Sequence, residues 1–206
     1  WLGTNSISEL FCRLVWIDTD VHAITLSSKA PMFSVPDVLI HCTTARAAKV
    51  WPFEHWRSVI DECNHRGLSV GLVGSPPKAQ QEAYNAGDGE DWLLETTALI
   101  DLRGQTTLME LAGACRQTAA VVSVDAGPMH IAAAVGTPTL ALVGNDADGT
   151  GASPIRLWLP RTHNLSRTIS PHSCDRCAVN RFRNDGCLVE GHPCMRDVLP
   201  EQVTDW

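Results

Sequence analysis

Short apolar runs of strand length alternate with helix-like segments along the middle of this chain, and this alternation limits the folds open to it. The runs are rich in Val, Ile, Leu and Ala, and they cover residues 38–42, 68–73, 98–102, 119–124 and 139–143. Such runs predict strands that are buried on both faces. With short connections to helices, they predict an α/β fold, a doubly wound parallel sheet with right-handed crossovers.

Helix start and stop signals lie between these runs. Pro52 opens a segment with apolar residues at helical spacing, and Gly67 ends it. Thr107 and Glu110 have capping-box spacing and predict a helix to about residue 117. Pro128 suits the first turn of an Ala-rich helix. Weaker signals predict a helix over residues 80–86 and short strands over residues 14–17 and 22–26.

The patterns divide the chain into three parts. Residues 1–36 are interpreted as a linker or the remnant of a preceding domain, residues 37–169 as the α/β domain, and residues 170–206 as a Cys-rich extension with the C-terminal segment. The net charge of −7 argues against a nucleic-acid-binding surface. Since no signal peptide is visible and the longest apolar stretch, residues 131–144, is too short to span a bilayer, a cytoplasmic location is expected.

Ligands of doubly wound sheets bind at the carboxyl ends of the strands. Three loops follow predicted strands in this way: residues 43–49, 74–78 and 125–130. The first carries Thr43, Thr44, Arg46 and Lys49, whose hydroxyls and cations can bind phosphate oxygens. The alternative is that the Thr pair caps a helix and that both cations are solvated.

The loop at residues 125–130 reads DAGPMH and leads into the Ala-rich helix. Gly127 lets the backbone approach a ligand closely, and Pro128 presets the helical φ angle. Free amides of the first helical turn would then face the crevice, where they favour an anion such as a diphosphate. Asp125 either caps this helix or binds a sugar hydroxyl, and His130 either contacts a phosphate or packs in the core.

Four segments of the chain form a recognisable set. They read KVWPFEHW at 49–56, GQTTLMEL at 104–111, VSVDAGPMHIAAA at 122–134 continuing to GTP at 136–138, and CMRDVLPEQV at 194–203. Together they resemble glycosyltransferase family 9, the lipopolysaccharide heptosyltransferases. The third segment is the most specific, and the order of all four matches the family. The resemblance covers roughly residues 37–206.

This resemblance implies one half of a GT-B architecture, in which two Rossmann-like domains face each other across a cleft. The C-terminal domain binds ADP-heptose or a similar nucleotide sugar, and the N-terminal domain binds the acceptor, a glycan or a protein. The donor-binding residues implied by the motifs are Thr43, Thr44, Lys49, Glu82, Leu102, Gly104, Asp125, Ala126, Gly127, Pro128, Met129 and His130. Among these, Leu102 and Gly104 border the adenine and Glu82 the ribose. Ala126 stands where the family usually has Ser or Thr, so one hydroxyl contact to the donor is missing.

The resemblance also implies an inverting transfer that requires no metal cofactor. Lys49 and the helix amides would stabilise the leaving diphosphate, while the general base is a carboxylate of the N-terminal domain. Because this chain lacks that domain's motifs, we expect it to bind the donor and to transfer little sugar alone. The alternatives are another nucleotide-diphosphate sugar, a non-catalytic nucleotide-sugar-binding module, or a metal-dependent interaction domain. The acceptor, any membrane association through it, and the oligomeric state stay open.

Four of the eight cysteines crowd into residues 174–194. Cys174, Cys177, Cys187 and Cys194 form a C-x2-C-x9-C-x6-C pattern. A C-x2-C pair with two later cysteines can complete a tetrahedral metal site, so the pattern predicts structural Zn or Fe. The alternative is a set of reduced or disulfide-paired cysteines in a surface extension. Among the heptosyltransferases that the chain resembles, those that modify autotransporters carry an iron-binding Cys cluster.

Overall fold

A parallel sheet lies at the centre of the molecule in the computed structural model. The structure describes residues 7–17, 24–78, 84, 88–144, 155–172 and 174–206. Within these residues the sheet has six strands: β1 (Val38–His41), β2 (Val70–Leu72), β3 (Ile100–Asp101), β4 (Ala120–Val124), β5 (Thr139–Leu142) and β6 (Leu165–Arg167). Their order is β3-β2-β1-β4-β5-β6, and every neighbouring pair is parallel. This is the strand order of a Rossmann-like fold, which confirms the predicted fold class.

Helices connect the strands. Those in the described ranges are α1 (Ile7–Leu14), α2 (Phe53–His65), α3 (Gly89–Thr96), α4 (Leu108–Gln117), α5 (Gly127–Ala134), α6 (Ile155–Trp158), α7 (Arg176–Val179), α8 (Pro193–Arg196) and α9 (Glu201–Thr204), besides a 3-10 turn at Ala47–Lys49. The predicted capping box at the start of α4 is confirmed, with reciprocal bonds between Thr107 and Glu110. In the part of the chain described, no helix is long and apolar enough to cross a membrane.

The sheet is covered on both faces. Alternate residues of its strands point to opposite sides, and each set packs against helices there. Ile40 packs in one cluster with Trp56 of α2, whereas its neighbour Leu39 packs in another with Leu111 of α4 and Ala132 of α5. All five side chains are at most 6% exposed. Burial on both faces explains why the strands are apolar throughout rather than alternating.

The segments at either end of the sheet domain contact it directly. Residues 24–36 lie against α4, where the Lys29 amide donates to the Met109 carbonyl at 2.9 Å. A Cβ atom on Gly113 would stand 1.9 Å from the Lys29 carbonyl oxygen, so only glycine permits this approach. Near the C-terminus, the Trp51 indole donates to the Val198 carbonyl at 2.9 Å. The three-part division of the chain stays a prediction.

Some local predictions differ from the structure. Residues 14–17 end α1 and turn, with φ 60° at Trp16, so a strand there was wrong. No strand occurs over residues 24–26, the described part of the second candidate. Helix α3 and strand β6 were not predicted, because α3 is rich in charge and β6 has only three residues. The predicted helix over residues 80–86 lies outside the described residues, apart from Tyr84.

Candidate functional site

A cleft of about 560 Å³ opens at the carboxyl ends of β1 and β4. These strands are neighbours at the point where the chain reverses its direction across the sheet. Thr43 and Thr44, just after β1, line the cleft on one side, and Asp125, just after β4, lines it on the other. Ligands of doubly wound sheets bind at this switch point, and the volume suits a small-molecule ligand.

An ion pair joins the two sides of the cleft. Lys49, at the end of the 3-10 turn, donates from Nζ to Oδ2 of Asp125 at 2.8 Å, although 76 residues separate them in sequence. The Lys49 side chain is 19% exposed and that of Asp125 is 9% exposed. Because both side chains are sheltered from solvent, dissolved salt screens this ion pair less than it screens a pair at the surface. The pair therefore holds an ammonium group at the wall of the cleft.

The first turn of α5 forms the floor beside Asp125. Its N-cap is Ala126, which has an extended backbone and makes no side-chain cap. Ala126 supplies no capping oxygen, so the Gly127 amide lies beside the cleft at the positive end of the helix, while Pro128 has no N–H to offer. A Cβ atom on Gly127 would meet nothing within 4 Å, so the space beside it belongs to the cleft.

Two glycine-containing loops build the opposite wall. Gly104 has a φ of +71°, and its amide donates to the carbonyl of Gly74 at 2.8 Å. A Cβ atom on Gly104 would stand 3.0 Å from Cα of Pro76, so a side chain here would meet both backbone strain and a clash. The loop after β2 and the loop after β3 are thereby held together along the cleft.

A cluster of charges anchors this wall from behind. The guanidinium of Arg103, 6% exposed, contacts Glu90 at 3.2 Å, Asp91 at 3.0 Å and Asp101 at 2.9 Å. These contacts tie α3 to the end of β3, next to Gly104. Sequence reasoning missed the cluster because two of its three acidic partners, Glu90 and Asp91, lie in a helix that was not predicted.

His41 at the end of β1 also lines the cleft and was missed by sequence reasoning. Its Nδ1 lies 2.8 Å from the Val73 carbonyl, to which it donates, so it joins the ends of β1 and β2. Burial lowers the pKa of His41 below its usual value, against the opposing effect of hydrogen bonds to the backbone of Val73 and Thr43. Its position as the last residue of a buried strand was the available signal.

Most of the predicted donor-binding residues meet at this cleft. Those lining it are Thr43, Thr44, Lys49, Gly104, Asp125, Ala126, Gly127 and Pro128. Leu102 and Met129 are 3% and 0% exposed and lie in the core behind the wall. His130 lies beside the cleft, with Nε2 3.8 Å from Oδ1 of Asp125. Glu82 lies outside the described residues.

Further residues lining the cleft, not predicted as ligands, come mainly from the two glycine-containing loops and α4. They are Ala45, Gly74, Ser75, Pro76, Tyr84, Thr106, Thr107, Leu108, Leu111 and Ile131. The loop after β2 was singled out from the sequence as a strand end, but no side chain in it suggested a ligand contact.

The four clustered cysteines lie near one another as free thiols. Burial, with added repulsion from Cys187, Cys174 and Cys177, raises the pKa of Cys194 to about 12. Within the described ranges, no three His, Cys, Asp or Glu side chains form a group that could hold a metal ion. His192 donates from Nε2 to the Ala48 carbonyl at 2.8 Å, so this nitrogen is committed to the loop that carries Lys49.

Sequence comparison places this chain among sugar-transferring proteins. Residues 17–182 match the sequence profile described as glycosyltransferase family 9 (heptosyltransferase). Lipopolysaccharide heptosyltransferase 1 of Salmonella typhimurium is 32% identical over 107 residues, which make up 52% of this chain and 31% of that protein.

Two solved structures share the fold. Escherichia coli heptosyltransferase WaaC with ADP-2-deoxy-2-fluoro heptose superposes with a TM-score of 0.59 at 20% identity, over 96% of this chain and 52% of that one. The iron-containing dodecameric glycosyltransferase TibC of enterotoxigenic E. coli H10407 gives 0.63 at 18% identity, over 88% and 48%. The chain thus spans about half of each solved chain, and the likeness concerns the fold.

Proposed function

Because the chain belongs to glycosyltransferase family 9, we propose that its cleft binds a nucleotide-diphosphate sugar, ADP-heptose, as the donor for inverting sugar transfer. The acceptor in this proposal is a lipopolysaccharide-type glycan or a protein. The similar E. coli protein was solved with an ADP-heptose analogue, which supports this donor class. The observation that carries the proposal is the approach of Lys49 to Asp125 beside the uncapped first turn of α5.

The positive charge at this point suits a diphosphate. The Lys49 ammonium and the first turn of α5 at Gly127 border the same space, and Thr43 and Thr44 add polar atoms on the side of β1. An ammonium and helix amides together favour a phosphate group in a partly desolvated cleft. The same groups would stabilise the negative charge that develops on ADP as the sugar leaves.

Asp125 has two tasks in this proposal. It holds Lys49 in place through the 2.8 Å ion pair, and it accepts hydrogen bonds from hydroxyls of the donor sugar. It is the one carboxylate among the described residues that line the cleft, and it is already paired with a cation. We therefore assign the general base for the acceptor hydroxyl to the acceptor-binding side, as the family resemblance implies.

The nucleoside lies along the opposite wall in the proposal. Gly104 lines this wall, and Leu108 and Leu111 add apolar surface against which a flat base can lie. Thr106 and Thr107 bring hydroxyls within the same wall. A pocket with apolar sides and a few polar atoms is what an adenosine requires.

Titration calorimetry tests the donor assignment. We expect the chain to bind ADP-heptose and ADP more tightly than UDP-glucose or GDP-mannose, and Lys49→Ala to weaken that binding at least about tenfold. Arg57→Ala is the matched control, because it removes a cation from the exposed face of α2, where Arg57 faces Asp61 at 3.6 Å. Preference for UDP or GDP sugars would reject the donor, and unchanged binding by Lys49→Ala would reject the site.

We also propose that the four clustered cysteines hold a structural metal ion, iron or zinc. Four sulfur ligands would suit a closed tetrahedral site of either metal, although within the described residues these side chains do not form such a group. The similar TibC structure is described as iron-containing. Metal analysis of protein purified without chelator should find one ion per chain, and Cys177→Ser should reduce it. Absence of metal from the wild-type protein contradicts this proposal and leaves the donor site untouched.

A further inference from the structure

The Cys-rich segment, residues 174–194, is hydrogen-bonded to the turn that carries Lys49. The Arg46 guanidinium donates twice to the carbonyl of Asn184, from Nε at 3.0 Å and from Nη2 at 2.8 Å. The Ala48 amide donates to the Asp185 carbonyl at 2.8 Å, and His192 Nε2 donates to the Ala48 carbonyl at 2.8 Å. Both backbone groups of Ala48 are thus bonded to the segment.

These contacts continue to the cysteines. The side-chain amide of Asn184 donates to Sγ of Cys177 at 3.2 Å and to the Gly186 carbonyl at 2.7 Å. The Phe182 amide donates to the carbonyl of the same cysteine at 2.8 Å. An unbroken series of hydrogen bonds therefore runs from Cys177 through Asn184 to Arg46.

The turn itself has few supports of its own. Its three residues, Ala47–Lys49, follow an N-cap, Arg46, that makes no side-chain cap. Arg46 is also the second cation of this loop, yet it is absent from the lining of the cleft, where Ala45 and Lys49 lie. Its guanidinium donates to the Asn184 carbonyl, so Arg46 contacts the Cys-rich segment while Lys49 contacts Asp125 in the cleft.

We propose that the Cys-rich segment is a brace that positions Lys49 for the donor diphosphate, with Arg46 and His192 as its positioning residues. The inference rests on the proposed donor site and adds a role for a segment that supplies none of the residues lining it. Thermodynamic linkage makes the effect reciprocal, so a ligand on Lys49 must also order the segment. A change in the order of the cysteines, whether it comes from metal binding or from packing, therefore changes donor affinity although the cysteines do not contact the donor.

Hydrogen–deuterium exchange and calorimetry on the full chain with ADP test the brace. ADP should slow exchange in peptides from residues 174–194, which lie outside the cleft. Arg46→Ala should abolish that protection and weaken ADP binding about five- to tenfold, less than the loss of a direct charged contact, because Arg46 acts on the ligand only through the turn. Arg183→Ala, which removes an exposed cation of the same segment, should behave as the wild type does.

A second variant tests the brace in case Arg46→Ala fails to fold. His192 has a φ of 49°, a conformation that Asn tolerates, so His192→Asn shortens the side chain and removes the bond to Ala48 without straining the backbone. It should raise exchange over residues 43–50 and weaken ADP binding, as Arg46→Ala does. Arg46→Lys keeps the charge but not the paired donors, and should rescue only part of the affinity.

The outcomes separate the brace from the donor site. ADP affinity unchanged in Arg46→Ala overturns the brace, and so does weaker binding with exchange over residues 174–194 unaltered, because Arg46 would then act on the ligand directly. If the wild type binds no ADP, the proposed function fails. In that case hydrogen exchange over residues 43–50 tests the brace. Faster exchange in both Arg46→Ala and His192→Asn supports it, and unchanged exchange overturns it.

Discussion

Removal of the Lys49 ammonium should weaken both donor binding and folding, by free energies of similar size. In the structure, Lys49 Nζ lies 2.8 Å from Asp125 Oδ2, and the two side chains are 19% and 9% exposed. A hydrogen bond between charged groups is worth about 1.5–3 kcal/mol, so Lys49→Ala should weaken ADP binding about 10- to 150-fold. Breaking a buried pair also leaves a carboxylate behind, and unfolding free energy should fall by up to about 3 kcal/mol.

The partner variant distinguishes the two tasks of Asp125. Asp125→Asn removes a negative charge beside the diphosphate and keeps the size of the side chain. Because ADP lacks the heptose and the Asn amide oxygen can still accept from Lys49, ADP affinity should change little, whereas ADP-heptose should bind about tenfold more weakly through lost hydroxyl contacts. Calorimetry with both ligands measures the difference, and the double variant Lys49→Ala/Asp125→Asn completes the cycle.

Urea unfolding of each variant shows whether a loss of affinity follows from a loss of folding. The reasoning fails if Lys49→Ala binds ADP within threefold of the wild type while folding normally. It fails equally if Asp125→Asn weakens ADP and ADP-heptose by the same factor, since the carboxylate would then have no separate role towards the sugar.

Three further predictions concern the cleft, the cap of α4 and the core. Gly127→Ala should change the unfolding free energy by less than about 1 kcal/mol, because the added methyl group meets no protein atom within 4 Å. It should weaken ADP binding about tenfold or more, because the methyl group stands in the cleft. Equal ADP affinity in calorimetry would contradict this. Hydrogen bonds from Lys29 and then Thr107 lower the pKa of Glu110 from 4.5 to about 2, so its contribution to the free energy of unfolding is present above pH 4.5 and lost as the pH falls towards 2. The difference in unfolding free energy between the wild type and Glu110→Gln, measured in urea, should therefore shrink over that range. A constant difference would refute this. Trp51→Phe should lower unfolding free energy by about 2 kcal/mol, because it leaves the buried Val198 carbonyl without its indole donor, and urea unfolding at pH 7 checks this.

Local patterns predicted much of the fold. The five predicted strands are present, the capping box at Thr107 forms, and α2 begins directly after Pro52. Each of these features depends on residues within one strand or one helical turn, so its signal is complete in a short window. Strand β6 was not predicted because its three residues give too little periodicity. Helix α3 was not predicted because it buries a charged residue, Glu90, against Arg103.

The candidate site was predicted in part for a related reason. Loops that follow parallel strands meet at one edge of a sheet, so Thr43, Asp125 and Gly127 could be placed at one crevice before any coordinates. The same reasoning could not place His41, because the last residue of a buried strand carries no sign of which way its ring points.

The sequence by itself determined the alternation of strands and helices, the ends of the strands where a ligand would lie, and the family. Only the tertiary structure decided what each loop cation contacts: Lys49 pairs with Asp125, 76 residues away, while Arg46 donates to the Asn184 carbonyl, 138 residues away. Helix and strand signals are local, because neighbouring residues set them. The direction of a long cationic side chain depends on carboxylates and carbonyls that only folding brings within about 3 Å.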